Sequence, residues 1–316
     1  MRIVFMGTPF FAVPSLEALR ASQHEIVGVV TAPDKPAGRG RRLQGSAVKE
    51  AAQKAGLPIW QPVKLKDPQW LKQLEAAEPE LIVVVAFRML PKVVWALPPL
   101  GTINLHASLL PQYRGAAPIN WALINGEKET GLTTFRLDKR IDTGAILGQT
   151  RLPIHPEETA GSLHDKMLQP GAELLLQTVN QLARNEAEPR PQRATAPLKE
   201  APKLGVEDTW LPWEAPVAEV YNRFRGLSPY PGARGLLQTG PEEYVVKISA
   251  AERDDTPAGE APGKVLTDGR NDLKVACSDG YLVIKEAQLP GKRRLSTPEL
   301  LNGFKIGPEA QFVIKT

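Results

Sequence analysis

The 316 residues include one cysteine, Cys277, so neither an intramolecular disulfide nor a multi-cysteine zinc site can form, as suits a reducing compartment. No apolar stretch approaches the ~20 residues of a membrane span. The apolar run that opens the chain is too short for a secretory signal and is interrupted by Gly7 and Pro9. Repeats and low-complexity tracts are missing. So are the nucleotide fingerprints: Gly38-Arg39-Gly40-Arg41-Arg42 has no third glycine at dinucleotide spacing, and no P-loop sequence occurs. Charge of one sign is scarce too. The 39 Lys+Arg against 35 Asp+Glu leave +4, which permits a polyanionic partner without demanding one. The expectation is a cytoplasmic protein, independent of membranes, that folds around its own cores.

What is present reads as two domains, from a length of 316 residues at about 150 per domain. The first half alternates apolar runs at 3–6, 25–31, 81–86 and 102–105 with helical patterns at 14–21, 46–55 and 68–77. That alternation implies an open, mostly parallel α/β sheet of Rossmann-like form, with ligands at its carboxyl strand ends. A helix over 118–124, strands over 132–137 and 145–152, and a long helix over 163–183, broken or kinked near Pro170, follow. Residues 186–203 hold four prolines among polar residues and alanines and read as an extended linker. After a helix over 217–225 come five short strand-like runs, at 235–239, 244–250, 263–266, 273–277 and 281–287. These predict a small oligonucleotide-binding-like (OB-like) β-barrel. The expected division is 1–188, a linker at 189–205, and 206–316. Residues 203–316 carry 15 Lys+Arg and 16 Asp+Glu, so a polyanion would meet a segregated basic face there, not bulk charge.

Asn104 and His106 lie two apart and share one face of an extended chain, and Asp142 follows in Ile141-Asp142-Thr143-Gly144. An amide and an imidazole can bind a developing oxyanion, worth about 3–4 kcal/mol for one donor. A nearby carboxylate can fix the imidazole tautomer and pass a proton. A satisfied core histidine beside a turn-forming aspartate is the competing reading, and the spacing alone leaves both open. Asp142-Thr143-Gly144 also matches the aspartic protease tetrad with Ala145, but only one copy is present, in an α/β pattern. Lys35, Arg39, Arg41 and Arg42 form a basic loop that could contact phosphates or simply be solvated. Lys292-Arg293-Arg294 is a similar cluster in a turn.

Several ordered blocks resemble the methionyl-tRNA formyltransferase family over nearly the whole chain. They are Phe5-Met6-Gly7-Thr8-Pro9, Pro33-Asp34-Lys35-Pro36-Ala37-Gly38-Arg39-Gly40, Asn104-Leu105-His106-Ala107-Ser108-Leu109-Leu110-Pro111, Arg114-Gly115-Ala116-Ala117-Pro118-Ile119, Asp142-Thr143-Gly144 and Leu227-Ser228-Pro229-Tyr230-Pro231-Gly232. The resemblance implies formyl transfer from 10-formyltetrahydrofolate to methionyl initiator tRNA, without a metal, by a monomer. It puts Asn104, His106 and Asp142 at the catalytic positions, with Asn104 and His106 on the oxyanion. It implies a folate pocket lined by Phe87, Arg88, Met89, Leu90, Ser108, Leu109, Leu110, Pro111, Asp138 and Ile141. The tRNA is expected to meet Lys35, Arg39, Arg41, Arg42, Lys292, Arg293 and Arg294. This chain departs from the family pattern at Ala86-Phe87-Arg88-Met89-Leu90-Pro91, one residue shorter than usual, at Lys139-Arg140, and at Phe10. The alternatives are formylation of an amino sugar nucleotide or of glycinamide ribonucleotide, or an inactive RNA-binding protein. Pro9 disfavours the second, because it removes a backbone donor where that enzyme cradles phosphate.

Overall fold

A computed structural model describes residues 1–37, 42–194 and 196–313, with backbone only at Ala37 and Arg42. The chain forms two compact units, each discontinuous in sequence. One comprises Met1–Gly115, Glu129–Pro153 and His164–Glu200; the other comprises Ala116–Lys128, Ile154–Leu163 and Ala201–Thr316.

In the first unit the strands are β1 (Arg2–Gly7), β2 (Glu25–Val30), β3 (Lys35–Ala37), β4 (Arg42–Gln44), β5 (Ile59–Trp60), β6 (Leu81–Val85), β7 (Thr102–His106), β8 (Glu129–Arg136) and β9 (Ile146–Pro153). Seven of them make one sheet in the order β9-β8-β7-β6-β1-β2-β5. The five from β7 to β5 are parallel, while β8 and β9 extend the sheet antiparallel. Ile3, Val4, Phe5 and Met6, like Leu81, Ile82 and Val83, are wholly buried, which is why these strands read as unbroken apolar runs. The chain builds outward from β1 to β5 and then returns to add β6 and β7 on the other side. This reversal makes the carboxyl ends of β1 and β6 a topological switch point, the usual ligand position in open α/β sheets.

Helices α1 (Val13–Arg20), α2 (Ala47–Lys54), α3 (Pro68–Ala76) and the short α4 (Lys92–Trp95) connect the parallel strands. Two of these helices begin on a capping side chain: Ser46 accepts from Lys49 N, and Asp67 accepts from Gln69 N and Trp70 N. The expected break at Pro170 does not occur. A single helix runs over Ala160–Ala183 through the proline. Met167, Leu174, Leu175 and Val179 are buried along it, and that burial outweighs the one backbone bond that Pro170 removes. A Cβ at Gly171 would lie 3.1 Å from Leu105 Cδ2, and Thr178 Oγ1 is 2.8 Å from Thr134 Oγ1. The helix therefore covers the Leu105 face of β7, and the alternating residues Asn104 and His106 project from the other face.

The second unit contains α5 (Pro118–Ile124), α7 (Val217–Leu227), α8 (Thr297–Gly303) and strands β10 (Ala233–Thr239), β11 (Glu242–Asp254), β12 (Val265–Thr267), β13 (Leu273–Ala276), β14 (Tyr281–Gln288), β15 (Leu295–Ser296) and β16 (Gln311–Val313); α6 is the helix over Ala160–Ala183. The antiparallel order is β12-β13-β14-β11-β10-β16, with β15 added to β14. Bridging of Lys264 to Gln311 brings the two outer strands together into a nearly closed barrel. Its core is Trp213, Val220, Phe224, Leu227, Ile284 and Phe312, with the Trp213 and Phe312 rings 4.9 Å apart. The five expected strands are all present, while β15, β16 and α8 are additional. Two helices approach closely at Gly226, where a Cβ would stand 2.7 Å from Ile124 Cγ1, and Asn120 Nδ2 donates to Gly226 O at 2.8 Å.

Candidate active site

His106 closes β7 and is buried, with 6% of its surface exposed. Its Nε2 lies 2.8 Å from the backbone oxygen of Tyr113, and its Nδ1 lies 3.8 Å from Asp142 Oδ2. A carbonyl only accepts, so Nε2 carries a hydrogen. Nδ1 is then the nitrogen left to gain or lose a proton, and it faces a carboxylate. Tautomer control, expected of Asp142, falls in the structure to Tyr113, through a backbone group that no side-chain pattern announces. Phe135 meets the His106 ring edge-on at 6.5 Å between centroids. Asn104, on the same face of β7, is half-buried, and its side-chain amide has no hydrogen-bond partner among the described residues.

Asp142 reaches His106 because the 137–145 loop between β8 and β9 is tightly constrained. Asp138 Oδ1 accepts from Arg140 N at 2.9 Å and from Thr143 Oγ1 at 2.7 Å, which closes the loop on itself. Gly144 is obligatory: a Cβ there would lie 1.7 Å from Arg136 O. Asp142 has φ of +51° and Tyr113 has φ of +60°, so both partners of His106 occupy the left-handed region. The second interaction of the carboxylate is with backbone: Gly115 N donates to Asp142 Oδ2 at 3.0 Å. The structure thus gathers Asn104, His106 and Asp142, and adds Tyr113 and Gly115, whose part rests on backbone groups and leaves no mark in the side-chain pattern.

The expected folate residues fall into three groups. Phe87, Arg88, Met89 and Leu90 form a turn at the carboxyl end of β6; Phe87 and Leu90 pack into the core, and Met89 is exposed. Arg88 is pinned across the turn, donating to Val63 O at 2.9 Å and to Pro62 O, with its guanidinium 5.6 Å from the Phe87 ring centre. The backbone N–H groups of Met89 and Leu90 donate to nothing among the described residues. Ser108 and Leu110 are buried and build the loop: Ser108 Oγ donates to Gln112 O at 2.7 Å, and Leu110 N donates to Thr133 Oγ1 at 3.2 Å. Leu109 and Pro111 are half-buried beside them. Asp138 and Ile141 are exposed on the 137–145 loop.

A sequence profile described as "Formyl transferase" matches residues 1–179, and one described as "Formyl transferase, C-terminal domain" matches residues 203–305. A methionyl-tRNA formyltransferase of Bacteroides fragilis is 49% identical over 310 residues, covering 97% of this chain and 96% of that protein. The chain belongs to the methionyl-tRNA formyltransferase family. It is a formyltransferase, with a Rossmann-like sheet and a barrel domain. Solved structures with the same fold include an N-formyltransferase from Helicobacter canadensis in complex with folinic acid and dTDP-3-aminofucose (TM-score 0.67, 19% identity, 91% of this chain and 98% of that one). HypX from Aquifex aeolicus in complex with tetrahydrofolic acid is another (TM-score 0.64, 20% identity, 95% of this chain); the family member described here spans only 46% of HypX.

In this methionyl-tRNA formyltransferase family member the basic residues form two groups. Lys35 is exposed on the β3–β4 hairpin, while Arg39, Arg41 and the Arg42 side chain lie outside the described residues. The hairpin is anchored at its base by Asp34, whose carboxylate meets Lys49 Nζ at 2.5 Å and Gln61 Nε2 at 2.8 Å. Those bonds, Lys49 first, hold the Asp34 carboxyl below the usual carboxylate range. Lys292, Arg293 and Arg294 are exposed in the turn between β14 and β15. Arg293 Nη2 bonds Glu299 Oε1 at 2.8 Å, and Arg294 Nη1 lies 3.8 Å from Glu286 Oε2. Exposed pairs of this kind are worth about 0–1 kcal/mol, so a phosphate can displace the carboxylates. Among the described residues no helix is long and apolar enough to cross a membrane.

Proposed function

We infer that this chain transfers the formyl group of 10-formyltetrahydrofolate to the α-amino group of methionyl initiator tRNA, and that Asn104, His106 and Asp142 carry the step. The observation that carries this reading is His106 held between two acceptors, the Tyr113 carbonyl and the Asp142 carboxylate, beside the amide of Asn104, which has no hydrogen-bond partner among the described residues. The folate supplies the formyl group as an activated amide. An α-amino group ordinarily titrates at about pH 7.7–8.0, so part of it is a neutral nucleophile near neutral pH. As the amine attacks, the formyl oxygen gains charge, and the Asn104 N–H is the free donor for it, worth about 3–4 kcal/mol. His106 Nε2 is already committed to Tyr113, so the histidine serves through Nδ1. That nitrogen takes the proton leaving the amine, Asp142 balances the resulting imidazolium, and the proton passes on to N10 of the folate as the bond between N10 and the formyl carbon breaks, which releases tetrahydrofolate. A 3.8 Å separation is open for a hydrogen bond, and such contacts tighten when the reacting groups arrive.

The backbone donors at Met89 and Leu90, unused among the described residues, the Phe87 ring, the loop of Ser108, Leu109, Leu110 and Pro111, and the Asp138–Ile141 stretch suit a flat heterocycle with polar edges. Lys35, Arg39, Arg41 and Arg42 with Lys292, Arg293 and Arg294 suit the phosphate backbone of tRNA, which positions the substrate without reading bases. All three reacting residues come from one chain, which fits a monomer, and work on tRNA fits the cytoplasm. A single-turnover assay with both substrates tests the reading. Asn104→Ala and His106→Ala should each slow transfer by about 100- to 10,000-fold while tRNA binding persists. Unchanged rates remove the assignment, and faster transfer to an amino sugar nucleotide than to methionyl initiator tRNA overturns the acceptor.

A further inference from the structure

The proline-rich 186–203 stretch reads as a connection between domains, and nothing in the reaction above uses it. In the structure it is bonded to the reacting loop. Arg190 and Ile146 exchange two backbone hydrogen bonds of 2.8 Å each. Gln192 Nε2 then donates to Asp142 O at 2.9 Å and to Gly144 O at 2.8 Å. Gln192 Oε1 accepts from Arg114 Nε at 3.1 Å and from Arg114 Nη2 at 2.6 Å. Both amide hydrogens and both oxygen lone pairs are therefore used. Arg114 in turn precedes Gly115, whose N–H holds the Asp142 carboxylate at 3.0 Å. The circuit is closed: Gln192 grips Asp142 from behind by its backbone, and grips the residue next to the donor that aims its side chain.

We propose that Gln192 is a positioning residue for formyl transfer, fixing the left-handed Asp142 turn and the Arg114-Gly115 segment together so that the Asp142 carboxylate faces His106. The proposal rests on the reading of His106 and Asp142 as the reacting pair. An amide is required at this position. A carboxylate would keep the Arg114 contact but turn two donors into acceptors facing the Asp142 and Gly144 carbonyls. Asparagine keeps the chemistry and loses one methylene of reach.

The full chain with Gln192→Glu, Gln192→Asn, Asp142→Asn and the Gln192→Glu/Asp142→Asn pair tests this, with 10-formyltetrahydrofolate and methionyl initiator tRNA as substrates and thermal unfolding in parallel. Q192E should lower kcat at least tenfold, leave KM for the tRNA within about twofold, and leave Tm within a few degrees. Q192N should fall between Q192E and the wild type. In the pair, Q192E should cost less than twofold beyond D142N, because its effect passes through Asp142. The proposal is overturned if kcat stays within twofold in both Gln192 single variants, if the loss appears in KM alone, or if the pair loses the product of the Q192E and D142N effects. Should either Gln192 variant fail to fold, the other decides. A wild-type chain that does not formylate methionyl initiator tRNA overturns the reading under Proposed function instead, whereas a working wild type with an equally fast Q192E sinks only the role of Gln192.

Discussion

At the scale of single residues, the site depends on backbone conformations that side chains disfavour. Tyr113 at φ +60° and Asp142 at φ +51° each cost on the order of 1–3 kcal/mol, which the surrounding bonds must offset. Gly144 bears the tightest of these constraints, since any side chain there would overlap Arg136 O. Gly144→Ala should lower kcat at least hundredfold and lower Tm by several degrees, measured by steady-state assay and thermal unfolding. A smaller loss in both would mean that the loop can move without harm. Cys277 illustrates a residue without a reactive part. Burial pushes its thiol up to about 12, so at pH 8 it stays protonated and sheltered. A disulfide reagent should modify it only when the protein is unfolded; fast labelling of the native chain would contradict its buried position.

At the scale of elements, the parallel strands were legible because apolar residues on both faces leave little else for those segments to be. The same-face pairing of Asn104 and His106 followed from the period of an extended chain, and Asp142 from its motif. The acceptor for His106 Nε2 was not legible, because the direction of the Tyr113 carbonyl depends on one backbone angle. Gln192 was not legible either: its neighbours Pro189, Pro191 and Pro197 describe a connection, and only the path of that connection reveals a role. Pro170 argued for a break or a kink, and tertiary burial overrode the break. β15 and β16 are two and three residues long, too short to carry any periodicity. The β3–β4 hairpin carries its own prediction. If Arg41 and Arg42 both contact phosphate, Arg41→Ala with Arg42→Ala should reduce the log–log salt slope of tRNA binding by about two. An unchanged slope would mean that these two arginines do not contact phosphate.

At the scale of the whole molecule, acid should strike the barrel unit hardest, since three of its carboxylates are held low, against one, Asp34, in the first unit. Asp254 is held down to about 2 by Lys274 and Thr256, Asp268 to about 2 by three backbone N–H groups, and Glu299 to about 2 by Arg293 and Ser296. Each folded value lies below the ordinary carboxylate range, so the stability these groups contribute is complete above about pH 4. It is lost as pH falls toward 2. Thermal unfolding followed from pH 5 to pH 2.5 should show the barrel transition moving to lower temperature, and Asp268→Asn should flatten that dependence. The interleaving of the two units has a consequence for how the chain is made. The helix Pro118–Ile124 leaves the ribosome about a hundred residues before its packing partner Val217–Leu227, so its apolar face must wait, uncovered, while the rest of the first unit is already being synthesised. Expressing residues 201–316 alone would reproduce the complementary fault, a groove beside Gly226 with no Ile124 to fill it.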